Sequence, residues 1–586
     1  LSKFITKITP EPTSIFQRKT WLNTIVLFAL LTFYFACTIN VVQAQTATPQ
    51  TTSTSPATAL AVITPTNPND VIITDEICST EQADVTFKPH TIFDESEEGI
   101  IFLHRWANAI HIDTKVMTLE DEAAFFLNKC NKTFADMAEL ERHLRSRKYI
   151  RDAKVTSDKN GENITVTTWD NWSLMPTISF GRKGGVNTYS FGIKERNLLG
   201  LGIDTEIESY KNAQRKGYKV VSTIPLFQKQ NTAIKLRFSD NDDGKQKSLF
   251  LQKSFAAFHI PFAYIVGFND DSRDDTIFQN GSERSIFSHE INYKTLSYAW
   301  MNFNTLESLL RYRVGVTQDQ HEFSDATLLS NQDIPVQSTQ QPQDREFLYP
   351  WFGVEYIEKD FRKLTNVHLI SQIEDFNHGW QFDAQLGLGN GNKENSAWSL
   401  WKMQIKKGFH INTNSLFLLN LAFAGDIYKD KNNRILASIN SEYFYRFNNR
   451  WGFYVNNTNF VSDNQYQDRP VTMGGNTGLR GFPLQYQHGK NSIKLTSELR
   501  YYPDINLFKL FDLAGVAFFD TGRAFGGSPV ENIEKNWLSS AGLGLRVYSP
   551  HSGGSHQVIH VDFAFPQSKN PDINSFEIRV QAKKSF

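Results

Sequence analysis

From Trp172 to the end of this chain, apolar and charged residues take turns in one stretch after another. Ile203 and Ile207 face Asp204, Glu206 and Glu208; Ile234, Leu236 and Phe238 alternate with Lys235 and Arg237; Ile493, Leu495, Leu499 and Tyr501 alternate with Lys494, Glu498 and Arg500. Successive side chains of a strand point to opposite faces, so each stretch is a strand with one apolar and one charged face. Charges at every second position have no place in the dry core of a sandwich. They are solvated where a closed sheet separates lipid from a water-filled lumen, with every backbone group paired around the ring. A mean hydropathy of −0.40 is compatible with this, because such a barrel turns only alternate residues to lipid. Soluble amphipathic sheets are the competing reading. Aromatic residues make up 13 % of the chain and it has 34 glycines, which favours many strands and tight turns over a helical enzyme. A net charge of −1 without a basic stripe argues against a nucleic-acid partner.

The N-terminal part has a different composition. Arg18 and Lys19 precede an apolar run from Trp21 to Ala36, and Val42-Gln43-Ala44 places small residues at the −3 and −1 positions of a cleavage site. This pattern predicts a signal peptide over 1–44; a membrane anchor is the alternative, since the run nearly suffices to span. Residues 45–70 are rich in Thr, Ser, Pro and Ala without apolar periodicity, and read as a linker. After processing, the chain keeps Cys78 and Cys130. An oxidising compartment permits a disulfide between them, and the sequence leaves both states open.

Residues 71–171 read as a compact α+β unit. Phe102–Ile110 has helical character, with Trp106 and Ile110 on the face begun by Phe102 and Leu103. Thr133–Arg147 is a clearer helix, with Phe134, Met137, Leu140 and Leu144 at three- and four-residue steps. Ala153-Lys154-Val155 and Asn163–Thr167 alternate as two strands around an Asn160-Gly161 turn.

Two motifs bear on what the barrel does. Gly478-Leu479-Arg480-Gly481-Phe482 sets an arginine between glycines in a long loop, and Phe519-Asp520-Thr521-Gly522 ends an aromatic strand in a carboxylate. Five strand-like segments follow the loop, Ser492–Pro503, Phe511–Asp520, Ala541–Ser549, Gln557–Phe565 and Phe576–Phe586. Together these features resemble the BamA-like bacterial surface antigen family, the outer-membrane barrels that insert or export other proteins. The resemblance implies that the loop folds into the barrel and that Arg480 pairs there with Asp520 and with Glu498 of Thr496-Ser497-Glu498-Leu499. Arginine suits the task, since its rigid fork engages a carboxylate bidentately and stays charged when desolvated. Gly478 and Gly481 free the loop backbone to turn. Leu479 stands where the family has valine. The resemblance further implies sixteen antiparallel strands over 172–586. It implies a periplasmic POTRA-like domain over 71–171, whose second helix and strand lie in Glu139–Val155. Phe576, Ile578, Val580 and the terminal Phe586 resemble an outer-membrane targeting signal, which Lys584 interrupts.

Other candidates are weaker. Asp240–Gly244 lacks the distal glutamate of a calcium loop. His551 and His556 lie in a Gly/Ser turn while His560 lies on a strand, and Gly474–Gly478 lacks the Lys-Ser/Thr of a phosphate loop. No nucleophile elbow, His-Glu-x-x-His or cysteine-based zinc spacing occurs. The expectation is therefore a non-enzymatic barrel of the outer membrane without cofactor, metal or small-molecule substrate. Its partners are the lipid bilayer and an extended client polypeptide. A passive porin-type channel with a periplasmic appendage is the alternative, and an enzyme with a barrel anchor lacks a catalytic constellation.

The cleavage pattern carries a first prediction. N-terminal sequencing of the protein from outer-membrane fractions should begin near Gln45, and an uncleaved N-terminus there would contradict the signal-peptide reading.

Overall fold

The computed structural model describes residues 84–93, 102–130, 132–158, 163–226, 231–255, 257–258, 260–328, 341–389, 397–429, 431–528, 531–551 and 558–583. The expected signal peptide and linker, Cys78, the Asn160-Gly161 turn, His556, Lys584 and Phe586 lie outside them. Cys130 is disulfide-bonded.

The small unit is built on three strands, β1 (Asp84–His90), β2 (Ile150–Ser157) and β3 (Asn163–Asp170). β3 is central, parallel to β1 and antiparallel to β2. Four helices accompany the sheet, α1 (Phe102–Ile110), α2 (Val116–Glu122), α3 (Ala124–Leu127) and α4 (Phe134–Arg145); the last three contribute to its core, while α1 packs on Ile92, Phe93 and Leu510. Thr133 and Asp136 form a capping box that satisfies the first free amides of α4. Met137, Leu140 and Leu144 turn inward onto Val155, Ile164 and Val166. Two expectations about helix faces fail. Phe134 opens α4 beyond the edge of the core and is 84 % exposed. On α1 the buried residues are His104 and Ala107, while Phe102 and Trp106 face outward.

Glu122 ties the unit together. Its carboxylate accepts from Tyr149 Oη at 2.9 Å, and lies 2.8 Å from His143 Nε2 and 2.9 Å from Arg147 Nε. Burial works against the charge, but Arg147, His143 and Tyr149 outweigh it and hold the carboxyl at about 2.

The rest of the described chain closes into a barrel of antiparallel strands, each paired with the next barrel strand in sequence. Twenty strands take part among the described residues, from Leu174–Lys183 to Glu577–Lys583, where sixteen were expected. The difference lies in the short segments. Lys216–Pro225, Thr232–Asn241 and Gly244–Lys253 have ten residues each and are whole strands. About 9–11 tilted residues suffice to cross a bilayer. Along Asn491–Leu507, Phe511–Phe525, Leu538–Tyr548 and Val558–Gln567, charged and small residues are buried inward while Leu499, Phe519, Leu543, Leu545, Phe563 and Phe565 are exposed outward. Large apolar groups outside and charges inside are the reverse of a soluble protein. Among the described residues no helix is long and apolar enough to cross a membrane.

Strands alternate in direction, so successive connections fall at alternate rims. The small unit packs at what we call the near rim, where Ala257 and Ile260 of a barrel turn join its core. Among the described residues, two connections form strand pairs of their own outside the barrel wall. At the near rim, residues 359–380 form a hairpin, Phe361–Thr365 against Ile373–Asn377. At the far rim, residues 464–490 contain a short pair, Val471–Met473 against Gln487–Gly489, and a 3-10 turn at Gly475–Thr477.

The state of Glu122 gives the small unit an acid limit. Its carboxyl titrates near 4.5 when unfolded and at about 2 when folded. The stabilisation, about 3 kcal/mol, is complete above pH 4.5 and lost as the pH falls toward 2. Hydrogen exchange in β2 and β3 of the full chain should accelerate between pH 4.5 and 2.5. Glu122→Gln should exchange faster at pH 7 and show a flatter pH profile.

Candidate functional site in the barrel lumen

The far-rim connection turns into the lumen, and glycine permits the bend. Gly478 and Gly481 have φ of 97° and 85°, and a Cβ on Gly481 would lie 2.9 Å from Pro566. Between them Leu479 is buried, and Phe482 packs with Met473, Tyr486, Ala524, Leu538 and Ile573. This apolar anchor leaves Arg480 pointing at the inner wall.

Arg480 is 2 % exposed. Its Nε and Nη2 donate to the two oxygens of Asp520 at 2.6 and 2.7 Å, a bidentate fork. Its Nη1 donates to Glu498 Oε1 at 3.1 Å and lies 3.6 Å from Asp562 Oδ1. The guanidinium also lies 3.4 Å from the centre of the Phe518 ring, a cation–π contact. Burial favours the neutral form of Arg480, but Asp520, Glu498 and Asp562 outweigh it and hold its pKa above the ordinary value. Among the named motif residues, then, the structure brings together Arg480, Asp520 and Glu498. Phe519 lies on the outward parity of the same strand, and Gly522 faces Met473. Phe576, Ile578 and Val580 share the outward parity of the last strand.

The wall behind Arg480 holds more charge than the motifs disclose. Arg546 Nη1 donates to Asp562 Oδ1 at 2.7 Å, and Arg500 Nη2 lies 3.0 Å from Glu498 Oε2. Lys494 Nζ donates to Thr477 O at 3.0 Å, and Arg579 Nη2 to Gln581 Oε1 at 2.9 Å. Lys494, Glu498, Arg500, Arg546, Asp562 and Arg579 stand on inward positions of the last five strands. Strand alternation predicts their direction, but their partners depend on register, which spacing does not encode.

Glu577 was also missed. The last strand meets the first at one register pair among the described residues, Val580 with Arg182. Above it the buried Glu577 carboxylate accepts from the Gly481 amide at 2.9 Å and the Gly185 amide at 3.0 Å. Gly185 belongs to the turn after the first barrel strand. One side chain thus fastens the inward loop and the first hairpin to the last strand.

A neighbouring hairpin reaches this site at the far rim. The long hairpin Phe262–Gln279 and Ser282–Asn304 brings its tip to the inward loop, where His488 Nε2 donates to Phe278 O at 2.6 Å and Phe278 N donates to Gln485 Oε1 at 2.9 Å. Burial lowers the His488 pKa to about 4, so the ring is neutral at pH 7. The weaker candidates are scattered. Asp240 and Gly244 flank a hairpin turn, His551 contacts Arg151 at the near rim, and His560 is buried on the wall. His111, Asp113 and Asp170 cluster at metal-ligand spacing. Asp170 already accepts from Thr114 N and Oγ1 and meets His111 Nε2 at 3.0 Å, so this trio is a hydrogen-bonded joint.

The sequence matches no family model and no curated protein. Among solved structures, the chain is similar to CdiB from Escherichia coli at 11 % identity and a TM-score of 0.44, over 86 % of this chain and 76 % of that one. It is similar to BamA from Haemophilus ducreyi lacking POTRA domains 1–3, at 12 % identity and a TM-score of 0.38, over 85 % and 84 %. It is also similar to CdiB from Acinetobacter baumannii, at 11 % identity and a TM-score of 0.38, over 80 % and 71 %.

Proposed function

We propose that this chain is an outer-membrane barrel of the BamA-like surface antigen type that inserts client polypeptides into the membrane or passes them across it. The observation that carries the reading is the seating of Arg480 on Asp520 and Glu498 by a loop turned into the lumen from the far rim. The small unit is the POTRA-like receiver on the periplasmic side. Its sheet order leaves β1 and β2 as outer strands, and an extended client can add to such an edge through backbone hydrogen bonds that ignore its sequence. Client folding and the burial of its apolar face in lipid supply the driving force, since unpaired backbone in hydrocarbon costs several kcal/mol per group. No nucleotide is needed.

A passive porin needs an open, water-filled lumen. What weighs against that reading is that both rims send a connection into the barrel, with Arg480 and Val367 each meeting the inner wall. The seam favours a route for clients. Where strand pairing gives out between the first and last strands, a client strand can pair with exposed backbone, and Glu577 is the contact that must yield.

Three experiments test this. Arg480→Ala leaves Asp520 and Glu498 buried without their shared cation, a local loss of about 3–5 kcal/mol. Planar-bilayer recordings should show a larger, noisier conductance and client delivery should fall, while the barrel still resists SDS without heating. An unchanged conductance would mean the arginine does not hold the loop.

Cysteines at Arg182 and Val580, which are register partners, lie in reach of a disulfide that closes the seam. The oxidised protein should lose insertion of a reporter barrel into liposomes and recover it on reduction. Full activity while oxidised would exclude the seam and leave the lumen as the route. Deleting residues 71–168 should leave an SDS-resistant barrel that no longer delivers clients, and unchanged delivery would favour the porin reading.

A further inference from the structure

In the reading given above the near-rim hairpin serves only as a segment that occupies the lumen, yet its tip is held by several directed contacts. Its tip, residues 366–372, enters the lumen and is shaped from within. The Glu374 carboxylate accepts from the amides of Val367, His368 and Leu369 at 3.0–3.1 Å, and Asn366 Oδ1 accepts from Ser371 N at 2.6 Å. Asn366 and Ser371, at the two corners, both have φ of 58°.

The wall receives this tip in two ways. Leu369 and Ile370 are buried among Tyr502, Val516, Phe518, Tyr548 and Val558, an apolar patch on the inner face of the last strands. Such a patch is out of place in a water-filled lumen unless something covers it. The polar contacts from the wall are directed at the tip's backbone. Arg500 Nη1 donates to Val367 O at 2.8 Å, and Tyr502 Oη donates to Asn366 O at 3.1 Å. His368 Nε2, at 2.8 Å from Glu442 Oε2, is the tip's one side-chain ion contact to the wall among the described residues. Donors aimed at carbonyls beside a pocket for two aliphatic side chains form a site that accepts extended polypeptide with little regard to its sequence.

The base of the hairpin is tied to the small unit. Arg145 Nη2 lies 2.9 Å from Asp375 Oδ2, Lys363 Nζ lies 3.2 Å from Glu141 Oε2, and the Arg142 guanidinium lies 4.2 Å from the Phe361 ring centre. Arg142, Arg145 and Glu141 all stand on α4, which packs directly on β2, an outer strand of the sheet. We propose that the inner-wall patch around Tyr502, Val516 and Tyr548 is a polypeptide-binding site, that the tip 366–372 occupies it as an internal stand-in, and that the α4 contacts hold the stand-in in place. A client segment with two adjacent aliphatic residues is the natural occupant. Binding at the small unit that shifts α4 would loosen the hairpin's base and free the site. The client's identity rests on the protein-handling reading; the existence of the site does not.

The test uses the full chain purified in detergent and a labelled synthetic peptide of residues 364–375. Two variants vacate the site: one replaces residues 366–372 by a short Gly-Ser turn, and the other, Leu369→Asp with Ile370→Asp, keeps the hairpin but makes its tip polar. Losing two buried aliphatic side chains should shift the docking equilibrium about 10²- to 10⁴-fold. Fluorescence anisotropy should accordingly show the peptide binding both variants at least about tenfold more tightly than the unaltered chain. Adding Val516→Asp to either should abolish that binding. Arg145→Asp, which leaves the site intact, should give an intermediate affinity and a raised single-channel conductance. No binding to either vacated variant, equal binding to the unaltered chain, or binding that survives Val516→Asp would overturn the site. An Arg145→Asp protein indistinguishable from the unaltered one would overturn its control by α4. Peptide binding with failed client delivery would instead remove the protein-handling reading and leave the site standing.

Discussion

Glu498 is the carboxylate on which the interior turns. Its Oε1 takes Arg480 from the loop that enters at the far rim, and its Oε2 takes Arg500 from the wall, whose other nitrogen holds the hairpin that enters at the near rim. One buried acid therefore mediates between two segments inserted from opposite ends. Buried charges are tolerated when paired and hydrogen-bonded, and are expensive when a partner leaves. Moving either segment thus changes the charge balance that the other experiences. The contact chain runs unbroken from α4 through Asp375, the hairpin and Arg500 to Glu498, Arg480 and Asp520.

The interior charges also explain why the alternation was so informative. A soluble fold places its apolar residues inside and gains from removing them from water. This chain places Arg480, Arg500, Arg546, Arg579, Asp520 and Asp562 inside and leaves leucine and phenylalanine at the surface. A closed sheet facing lipid on one side and a polar lumen on the other satisfies that arrangement. The strand face of each residue follows from parity, so the inward direction of Glu498 and the outward direction of Leu499 and Phe576 could be read from the letters.

What parity cannot supply is pairing and depth. The count of sixteen came from resemblance, whereas ten-residue segments such as Lys216–Pro225 and Thr232–Asn241 each span the wall in full. Phe361–Thr365 and Ile373–Asn377 look like any other short strands, and nothing in their alternation says that they pair with each other away from the barrel. The Arg480 site was more accessible because glycines on either side of a lone arginine mark a sharply turned loop, and Asp520 follows the apolar run Leu513–Phe519 at an inward position. Its deeper partners, Arg546 and Asp562, are diagonal neighbours in a register that only the folded sheet defines. Phe134 and Phe102 misled for a local reason: helical periodicity assigns a face, but residues at the first turn project past the core that the face covers.

The seam shows how a barrel can be stable and still open. Most neighbouring strands are joined by a ladder of backbone hydrogen bonds, each worth about 0.5–1.5 kcal/mol net, so separating them costs the sum of many bonds. Between the first and last strands that ladder is nearly missing among the described residues, and Glu577 substitutes two charge-assisted bonds for it. Both of its donors are glycine amides, one in the first hairpin and one beside Arg480. A shift of the inward loop that breaks the Gly481 contact therefore weakens the closure at Gly185 as well, because the same carboxylate must then be resolvated or find another donor. Loop position and seam closure share one group, and the free energy that holds Arg480 on Asp520 is in part the free energy that keeps the wall shut.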